Sequence, residues 1–394
     1  MKIAFHVLGD ASWVFGRVYL RGLFAALRER FDGELGLYLL APQEHAGAEA
    51  FASLVGADAL VRYATHRPWT APWAVHHTAQ RLLARDPGKE NALKRQGVQA
   101  LFGLQLAFAS PRLATLSLIP DFQHMHLPEM FSKAEVDYRE HIYRECARHA
   151  TRVIVFSETV RKDFEQFAPQ QAKKARTLPP ISFVPETLYE QELAPLLARY
   201  HLPEKFVYLP NQFWKHKNHG VAFQAARILK ERGVDVKMVC SGFPGDYRHP
   251  EYFGEIWQKL SAWNIREQVL YLGQLPHEHV LMLMRQSVCV LNPSRFEGWG
   301  ITVEEARSVG KQVVISDIAA HREQNPPRAT WFDANSAEEL AEKLADLWRA
   351  TPPGPDGELE RAARTAQPRR VRAYAEAFAG VAREAVASGE GRGS

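Results

Sequence analysis

The sequence contains few cysteines and no long apolar run. Its three cysteines, Cys146, Cys240 and Cys289, are an odd number and show no metal-ligand spacing. We interpret them as buried thiols in a reducing compartment and expect a cytoplasmic location. No apolar run reaches the ~18 residues that span a bilayer, and the first residues lack the apolar core of a signal peptide. The composition therefore argues against a disulfide scaffold and an integral membrane protein.

The sequence also has little net charge. Its 49 Lys and Arg residues nearly balance its 45 Asp and Glu residues, which leaves a net charge of +4. No duplex nucleic acid is therefore expected among its partners. The basic excess lies in the first half of the chain and would suit a peripheral contact with the inner face of an anionic membrane. An ordinary solvated surface is the simpler explanation.

Strand-like and helix-like segments alternate in two successions along the chain. The first begins with an apolar strand at Lys2–Val7, a helix at Arg17–Arg30 and a strand at Leu35–Leu40, and the second begins at Lys205. Such alternation predicts an α/β protein with two doubly wound parallel sheets. The proline-containing stretch Leu178–Pro185 marks the boundary between them. The predicted domains are residues 1–184, residues 185–366, and residues 367–394, which comprise a C-terminal helix and a frayed tail.

Residues 291–310 carry the most informative pattern, a buried strand end followed by a polar turn and a helix. Gly298 and Gly300 flank Trp299 in the turn, where the absence of Cβ atoms permits tight turning and the close approach of a ligand. The helix predicted to begin near Ile301 would direct free N–H groups and a positive dipole end at a diphosphate.

Two glutamates, Glu297 before the turn and Glu305 on the helix, complete this pattern. One carboxylate could bind sugar hydroxyls and the other a ribose diol, which indicates a nucleotide-sugar site. The arrangement ExxGxxxxE, preceded by Asn-Pro-Ser, resembles the signature of the retaining glycosyltransferases of family 4, which have the GT-B fold. An ordinary strand–loop–helix with two incidental glutamates is the alternative. Further segments that resemble the family in the same chain order argue against it.

The resemblance implies two Rossmann-like domains that face a cleft, with the acceptor on the first and the nucleotide-sugar donor mainly on the second. It also implies a C-terminal helix that crosses back to the first domain. Transfer would need no metal, which agrees with the absence of an Asp-x-Asp motif, and no cofactor beyond the nucleotide-sugar co-substrate is expected. Domain closure about linkers at residues 180–203 and 351–370 would exclude water from the reaction.

In the first domain, the loop that ends at Gly16 resembles the family's glycine-rich first loop, which lies against the donor phosphates and the acceptor. Phe15 replaces one of the two adjacent glycines that the family usually has there. Further along the chain, three roles are open for Trp69 and Trp73: stacking on a sugar, a position at a lipid interface, or packing in the core or within a loop.

A mid-domain loop at residues 119–132 resembles the family's His-Asp loop, which faces the donor sugar. Pro120 replaces the histidine of that pair, Asp121 is retained, and His124 and His126 follow. We expect Asp121 and His124 to line the reaction centre. A metal bound by the two histidines is an alternative, but no further carboxylate or cysteine nearby completes such a site.

In the second domain, the loop after the first strand resembles the family loop that binds the diphosphate through an arginine and a lysine. Lys217 matches the lysine, whereas Asn211 stands where the arginine is common. Lys217 is therefore expected to bind the diphosphate, with Lys215 and His216 as alternatives. The predicted catalytic residues are Asp121, His124 and Glu297. The predicted donor-binding residues are Gly16, Asn211, Gln212, Lys217, Ser241, Gly242, Gly273, Leu275, Gly298, Trp299, Gly300, Ile301 and Glu305.

The resemblance implies a glycosyltransferase that moves a hexose to a glycan or lipid-linked acceptor with retention of configuration, in bacterial surface polysaccharide or glycoconjugate synthesis. Mannose from GDP-mannose is the favoured donor, because the Gln-x-His and His-Lys-Asn-His loops resemble those of mannosyl-transferring members; UDP-hexoses stay open. A GT-B sugar-nucleotide epimerase is a second interpretation. A binding protein with a decayed site is a third, which the Pro120 and Asn211 departures favour.

Overall fold

The computed structural model describes residues 1–7, 14–65 and 85–390, and the chain forms two units, each with its own sheet. Trp69 and Trp73 lie outside the described residues. The first unit comprises Met1–Phe122, Lys133–Ile181 and Arg369–Ser394. The second comprises Gln123–Ser132 and Ser182–Pro368. The short segment Gln123–Ser132 thus belongs to the second unit, although the chain on both sides of it belongs to the first.

The sheet of the first unit has seven parallel strands in the order β3-β2-β1-β4-β5-β6-β7. The strands are β1 (Lys2–His6), β2 (Gly36–Pro42), β3 (Ala59–Tyr63), β4 (Ala100–Leu104), β5 (Ala114–Ile119), β6 (Arg152–Val155) and β7 (Ala175–Thr177). Ile3, Ala4 and Phe5 of β1 are fully buried, as expected for a central strand of a sheet covered on both faces. The strand order changes direction between β1 and β4, which is the doubly wound plan predicted from the sequence.

The helices up to Phe167 are α1 (Val14–Phe31), α2 (Ala48–Val55), α3 (Pro87–Arg95), α4 (Gln123–His126, in the second unit), α5 (Lys133–His149) and α6 (Glu158–Phe167). The prediction of a loop up to Gly16 is wrong at its end, because α1 begins at Val14 and Gly16 is its buried third residue. A glycine inside a helix costs only about 1 kcal/mol, so it does not by itself fix a boundary. Ser157 caps α6, since its Oγ accepts the N–H of Val160 at 3.0 Å.

The sheet of the second unit has six parallel strands in the order β10-β9-β8-β11-β12-β13. The strands are β8 (Val207–Leu209), β9 (Met238–Cys240), β10 (Val269–Tyr271), β11 (Val290–Asn292), β12 (Val313–Ser316) and β13 (Ala329–Phe332). The order changes direction between β8 and β11. In open α/β sheets, ligands bind outside the carboxyl ends of the strands at such a switch point. The loops that follow β8 and β11 are therefore the ones that matter for function.

The remaining helices are α7 (Thr187–Glu190), α8 (Ala194–Arg199), α9 (His219–Glu231), α10 (Tyr252–Ala262), α11 (His277–Gln286), α12 (Ile301–Val309), α13 (Ala319–Gln324), α14 (Ala337–Ala350) and α15 (Gly357–Glu390). The predicted linkers at residues 180–203 and 351–370 each contain a boundary between the units. Helices α7 and α8 lie in the first, and α15 occupies most of the second. None of the helices within the described residues is long and apolar enough to cross a membrane.

The last helix, α15, begins in the second unit and ends in the first, with Pro368 inside it at the unit boundary. In the first unit its Phe378 is fully buried and stacks on Phe5, with ring centroids 5.7 Å apart. Further along, Glu384 pairs with Arg152 and Arg176. The C-terminal helix thus supplies part of the core of the first unit, which confirms the predicted return.

Lys311 lies between α12 and β12 and gives the second unit a pH-dependent stability. Its side chain is buried, and its Nζ donates to the carbonyl oxygens of Gly354 at 2.8 Å and Arg285 at 3.2 Å. Burial lowers the pKa of Lys311 from 10.5 to about 8. The unfolded chain therefore binds more protons than the folded chain between pH 8 and 10.5, so this group makes the free energy of unfolding rise with pH across that window.

We expect Lys311→Met to remove this dependence, because methionine fills a similar volume and carries no charge. In urea unfolding at pH 7, 8.5 and 10, the free energy of unfolding of the wild type should rise by up to about 3 kcal/mol relative to that of the variant. The exposed lysine of the same unit, Lys259, provides the control variant Lys259→Met. Parallel pH profiles for wild type and Lys311→Met would contradict the expectation.

Candidate functional site

The loops after β8 and β11 bring a lysine and a glutamate into direct contact. Lys217 Nζ donates to Glu297 Oε1 at 2.6 Å, and Ser294 Oγ donates to the same oxygen at 2.7 Å. The side chains of Lys217 and Glu297 are only 18% and 8% exposed. Burial alone would raise the pKa of Glu297, but the charge of Lys217 and these two hydrogen bonds hold it below its usual value. Glu297 is therefore an ionised carboxylate with a cation fixed beside it.

Backbone and side-chain bonds between the two loops fix this pair. Asn218 lies in the left-handed region with φ of 60°, and its Nδ2 donates to the carbonyl oxygens of Pro293 at 3.0 Å and Ala334 at 2.7 Å. The N–H of Arg295 donates to the carbonyl of His216 at 2.8 Å. The loop of Lys217 and the loop of Glu297 therefore form one hydrogen-bonded body.

Asn211, predicted to bind the donor in place of an arginine, is 2% exposed and engaged within the protein. Its Nδ2 donates to Asn292 Oδ1 at 3.2 Å, and its Oδ1 accepts from Thr302 Oγ1 at 2.7 Å. These bonds join the ends of β8 and β11 to the first turn of α12. The side chain thus holds the site together, while the neighbouring Gln212 is half-buried in the same loop.

The N-terminus of α12 lies directly after Glu297 and presents the features of an anion site. Gly300 occupies the N-cap with φ of +96°, a conformation that favours glycine. A Cβ there would lie 3.1 Å from Gln324 Oε1 and 3.4 Å from His321 Nε2. The N–H groups of Val303 and Glu304 donate to the carbonyl of Gly300, so those of Ile301 and Thr302 are the ones without an acceptor within the helix. The buried indole N–H of Trp299 likewise finds no acceptor among the described residues.

His321 lies fully buried behind this turn as a neutral imidazole. Its Nδ1 is 2.8 Å from the carbonyl oxygen of Ser316, and since a carbonyl only accepts, Nδ1 carries the proton and Nε2 has a free lone pair. Burial lowers the pKa of His321, and the carboxylate of Glu297 only partly offsets this effect. His321 therefore places a polar, uncharged side chain beside Gly300 and Glu297.

Glu305, the second predicted glutamate, lies on α12 and pairs with a histidine of α11. Its Oε1 is 2.7 Å from His277 Nε2, and the two side chains are 11% and 28% exposed. The imidazole fixes the carboxylate while leaving part of it accessible. Glu305 can therefore accept hydrogen bonds from a diol that approaches the edge of the sheet.

The predicted residues at the ends of β9 and β10 mainly shape the site. Gly242 has φ of +136°, and a Cβ there would lie 2.5 Å from the backbone oxygen of Asn211, so only glycine fits. Its N–H donates to the carbonyl of Gly273 at 2.9 Å. Ser241 shares a 2.6 Å hydrogen bond with Tyr208, and Leu275 packs against the core of the unit.

The predicted residues from the first half of the chain fall in different units. Asp121 belongs to the first unit, where Arg139 lies 3.6 Å from it. His124 is 3% exposed and belongs to the second unit. In the same segment, His126 stacks on Phe296, the residue before Glu297, with centroids 5.0 Å apart. The His124 segment is thus placed next to the Lys217–Glu297 pair.

Sequence reasoning missed several residues that complete this arrangement. His277 was hidden because its partner Glu305 lies 28 residues away, although the preceding Pro276 marks a helix start. Ser294 was visible in the Asn-Pro-Ser triplet but received no role. Among the described residues, no group of three or more His, Cys, Asp or Glu side chains could hold a metal ion.

A protein-family model covers the part of the second unit that contains its sheet and the glutamates Glu297 and Glu305. Residues 200–370 match the family model described as Glycosyl transferases group 1. This match covers most of the second unit. The HepE protein of Anabaena, solved in complex with UDP and glucose, is similar in structure over the whole chain, with a TM-score of 0.66, 14% identity and coverage of 98% of this chain and 99% of that chain. The GT-B fold and the predicted resemblance to family 4 glycosyltransferases are thereby confirmed.

Two curated relatives of this glycosyl transferase act on different sugars. The O-antigen chain mannosyltransferase B of Escherichia coli is 23% identical over 56% of this chain and 59% of its own length. The alpha-D-kanosaminyltransferase of Streptomyces kanamyceticus is 23% identical over 49% of each chain. The alignments thus span between a half and three fifths of these relatives.

Proposed function

We propose that this protein transfers a hexose from a nucleoside diphosphate sugar to a glycan or lipid-linked acceptor with retention of anomeric configuration. The observation that carries the proposal is the buried Lys217–Glu297 pair, 2.6 Å across, at the N-terminus of α12. A fixed cation and free N–H groups suit a diphosphate. A fixed carboxylate beside them suits the hydroxyls of the attached sugar.

In this mechanism, the bond between the anomeric carbon and the diphosphate oxygen breaks while a bond to the acceptor oxygen forms on the same face of the sugar. The acceptor's proton passes to the leaving phosphate oxygen. Lys217 and the N–H groups at Trp299, Gly300 and Ile301 stabilise the charge that develops on the diphosphate, which is commonly the largest contribution to catalysis. No metal or cofactor takes part in the proposed scheme.

The carboxylates and the His124 segment would bind the rest of the donor. Glu297 accepts hydrogen bonds from the sugar hydroxyls, and Glu305, fixed by His277, accepts those of the ribose. Asp121 and His124 would contact the sugar where the acceptor approaches. The backbone around Gly242 and Gly273 would lie against the nucleobase.

Mannose from GDP-mannose is our preferred donor. The name of the Escherichia coli relative, an O-antigen chain mannosyltransferase, supports this choice and also supports a polysaccharide or lipid-linked acceptor. UDP-hexoses are the competing donors, since the HepE structure contains UDP. A sugar-nucleotide epimerase would act on the donor alone, so acceptor-dependent release of nucleoside diphosphate separates it from a transferase.

A thermal-shift screen with GDP, UDP, ADP and dTDP tests the donor site and names the base. A diphosphate at 100 times its Kd should stabilise the protein by about 2.7 kcal/mol, which corresponds to a rise in Tm of a few degrees. Glu305→Ala should weaken this shift, because the ribose diol loses its acceptor. The exposed Glu338 of α14 provides the matched control Glu338→Ala.

The screen tests two claims separately: that the protein binds a nucleoside diphosphate, and that Glu305 contacts its ribose. A shift that Glu305→Ala leaves unchanged would refute the ribose contact while keeping the nucleotide site. The absence of a shift with all four diphosphates would refute the proposed function and favour a binding protein with a decayed site.

A further inference from the structure

Arg248, in the loop after β9, is a buried arginine that no sequence motif singled out. Its side chain is 2% exposed, and its Nε lies 3.3 Å from Oδ1 of the fully buried Asp246. A buried guanidinium is stabilising only if its donors are satisfied and its charge is paired. The contacts that satisfy Arg248 therefore show what holds this charge inside the protein.

Those contacts join two other segments of the second unit. Arg248 Nη1 donates to Gln123 Oε1 at 3.2 Å, and the guanidinium lies over the ring of Phe131, 4.6 Å from its centroid. Both residues belong to Gln123–Ser132, the segment that carries His124. On its other side, the guanidinium lies 5.5 Å from the ring centroid of Trp214, and Nη2 lies 3.5 Å from His216 Nδ1.

Asp246 anchors the Lys217 loop independently of Arg248. Its Oδ2 accepts the N–H of Lys215 at 3.0 Å, and the N–H of Phe213 donates to the carbonyl of Phe243 at 3.0 Å. The loop that binds the diphosphate is therefore bonded to the loop after β9 without the guanidinium. The segment Gln123–Ser132 contacts the loop after β9 through Arg248 and the loop of Glu297 through the stack of His126 on Phe296.

We propose that Arg248 is a positioning residue that fixes the segment Gln123–Ser132 and so places His124 at the donor sugar. The inference rests on the proposed function for its catalytic consequence, but the anchoring itself does not. The guanidinium of arginine is planar and carries several N–H donors, so it can lie over the rings of Phe131 and Trp214 while it donates hydrogen bonds. A lysine would keep the positive charge but lacks this planar group.

The test compares Arg248→Ala and Arg248→Lys with the wild type. Hydrogen exchange of the amides in residues 123–132 should be about tenfold faster in Arg248→Ala, because the segment opens locally. The kcat for sugar transfer should fall by up to about 10²-fold, as for a displaced catalytic group, while the Kd for GDP or UDP changes by less than about threefold. Arg248→Lys should lie between the two.

Arg266 provides a matched control in the same unit. It lies over the ring of Trp257 at 5.2 Å and donates to Ser261 at 2.8 Å, so Arg266→Ala also removes a stacked, hydrogen-bonded arginine. It should leave exchange at residues 123–132 and kcat unchanged.

The readouts separate this inference from the proposed function. Unchanged exchange at residues 123–132 in Arg248→Ala overturns the inference, whether or not the protein is active. Faster exchange with an unaltered kcat in an active protein also overturns it, since His124 would then need no positioning. Faster exchange in a protein that binds no diphosphate supports the anchoring and refutes the proposed function.

Discussion

Glu297→Gln is expected to lower the kcat for sugar transfer by about 10³-fold, the upper range for the loss of one well-placed electrostatic group. The amide keeps the shape of the side chain and can accept from Ser294. It removes the charge that holds Lys217 at 2.6 Å and the strong acceptor for sugar hydroxyls. The measurement is the initial rate of acceptor-dependent diphosphate release, with the donor class identified by the nucleotide screen.

Binding of the free diphosphate distinguishes this role from general damage to the site. Lys217, released from its partner, still faces the N-terminus of α12, so Kd for the diphosphate should stay within about threefold of the wild-type value. Glu338→Gln is the matched control on an exposed surface. A variant that keeps more than about a tenth of wild-type kcat would show that Glu297 is not the sugar-binding carboxylate.

The sequence predicted the site where local pattern and topology coincide. Glu297, Gly300 and Glu305 lie within nine residues of one strand–turn–helix, so their relation is set by the local chain. Lys217 was added from the resemblance of its loop to the family loop that binds the diphosphate, and the structure places that loop at the same edge of the sheet as Glu297. The buried runs of the central strands and the helix start at Ile301 were predictable for the same reason: periodicity and turn chemistry are local signals.

Contacts between distant segments could not be predicted in this way. Arg248 and Gln123 are 125 residues apart, and their contact depends on a segment of the first half of the chain that belongs to the second unit. Asn211 adds a second case: its position predicted a ligand contact, and the structure also places its amide in hydrogen bonds with Asn292 and Thr302 that no local pattern indicated. Only tertiary packing decides whether a polar side chain faces a ligand or its neighbours.

Proline does not mark a helix end near the C-terminus. The linker predicted at residues 351–370 contains the boundary between the units, which lies at Pro368. The structure has a helix from Gly357 that continues through Pro368 to Glu390. Burial of residues such as Phe378 and Ala382 in the first unit compensates for the helix hydrogen bond that proline removes.

Lys217→Met is expected to destabilise the second unit by about 3–5 kcal/mol at pH 7, because it leaves the carboxylate of Glu297 buried without its cation. In the wild type, the pKa of Glu297 lies below its usual value. Its contribution to stability is therefore present above the unfolded pKa and is lost as the pH falls through the folded pKa. Urea unfolding from pH 7 down to well below the unfolded value of 4.5 measures this dependence.

In Lys217→Met, the pH dependence of the free energy of unfolding is expected to have the opposite sign. Without the lysine, burial raises the pKa of Glu297, so the folded state keeps a proton that the unfolded chain has lost, and stability falls as the pH rises towards 7. His321 also faces Glu297, and because burial lowers its pKa, its titration works against the recovery as the pH falls. The variant should therefore approach wild-type stability near pH 4, and equal pH slopes would contradict this account.

The double variant Lys217→Met/Glu297→Gln isolates the pair. Replacing both charges leaves no uncompensated carboxylate, so the double variant should be more stable at pH 7 than Lys217→Met alone, with a coupling of roughly 2–3 kcal/mol. Each charge is stabilised in the protein only while the other is present. The side chains of Lys217 and Glu297 therefore hold their conformation before any ligand binds. A strictly additive cycle would mean that the two charges are independently solvated, and a diphosphate would then have to order Lys217 on binding.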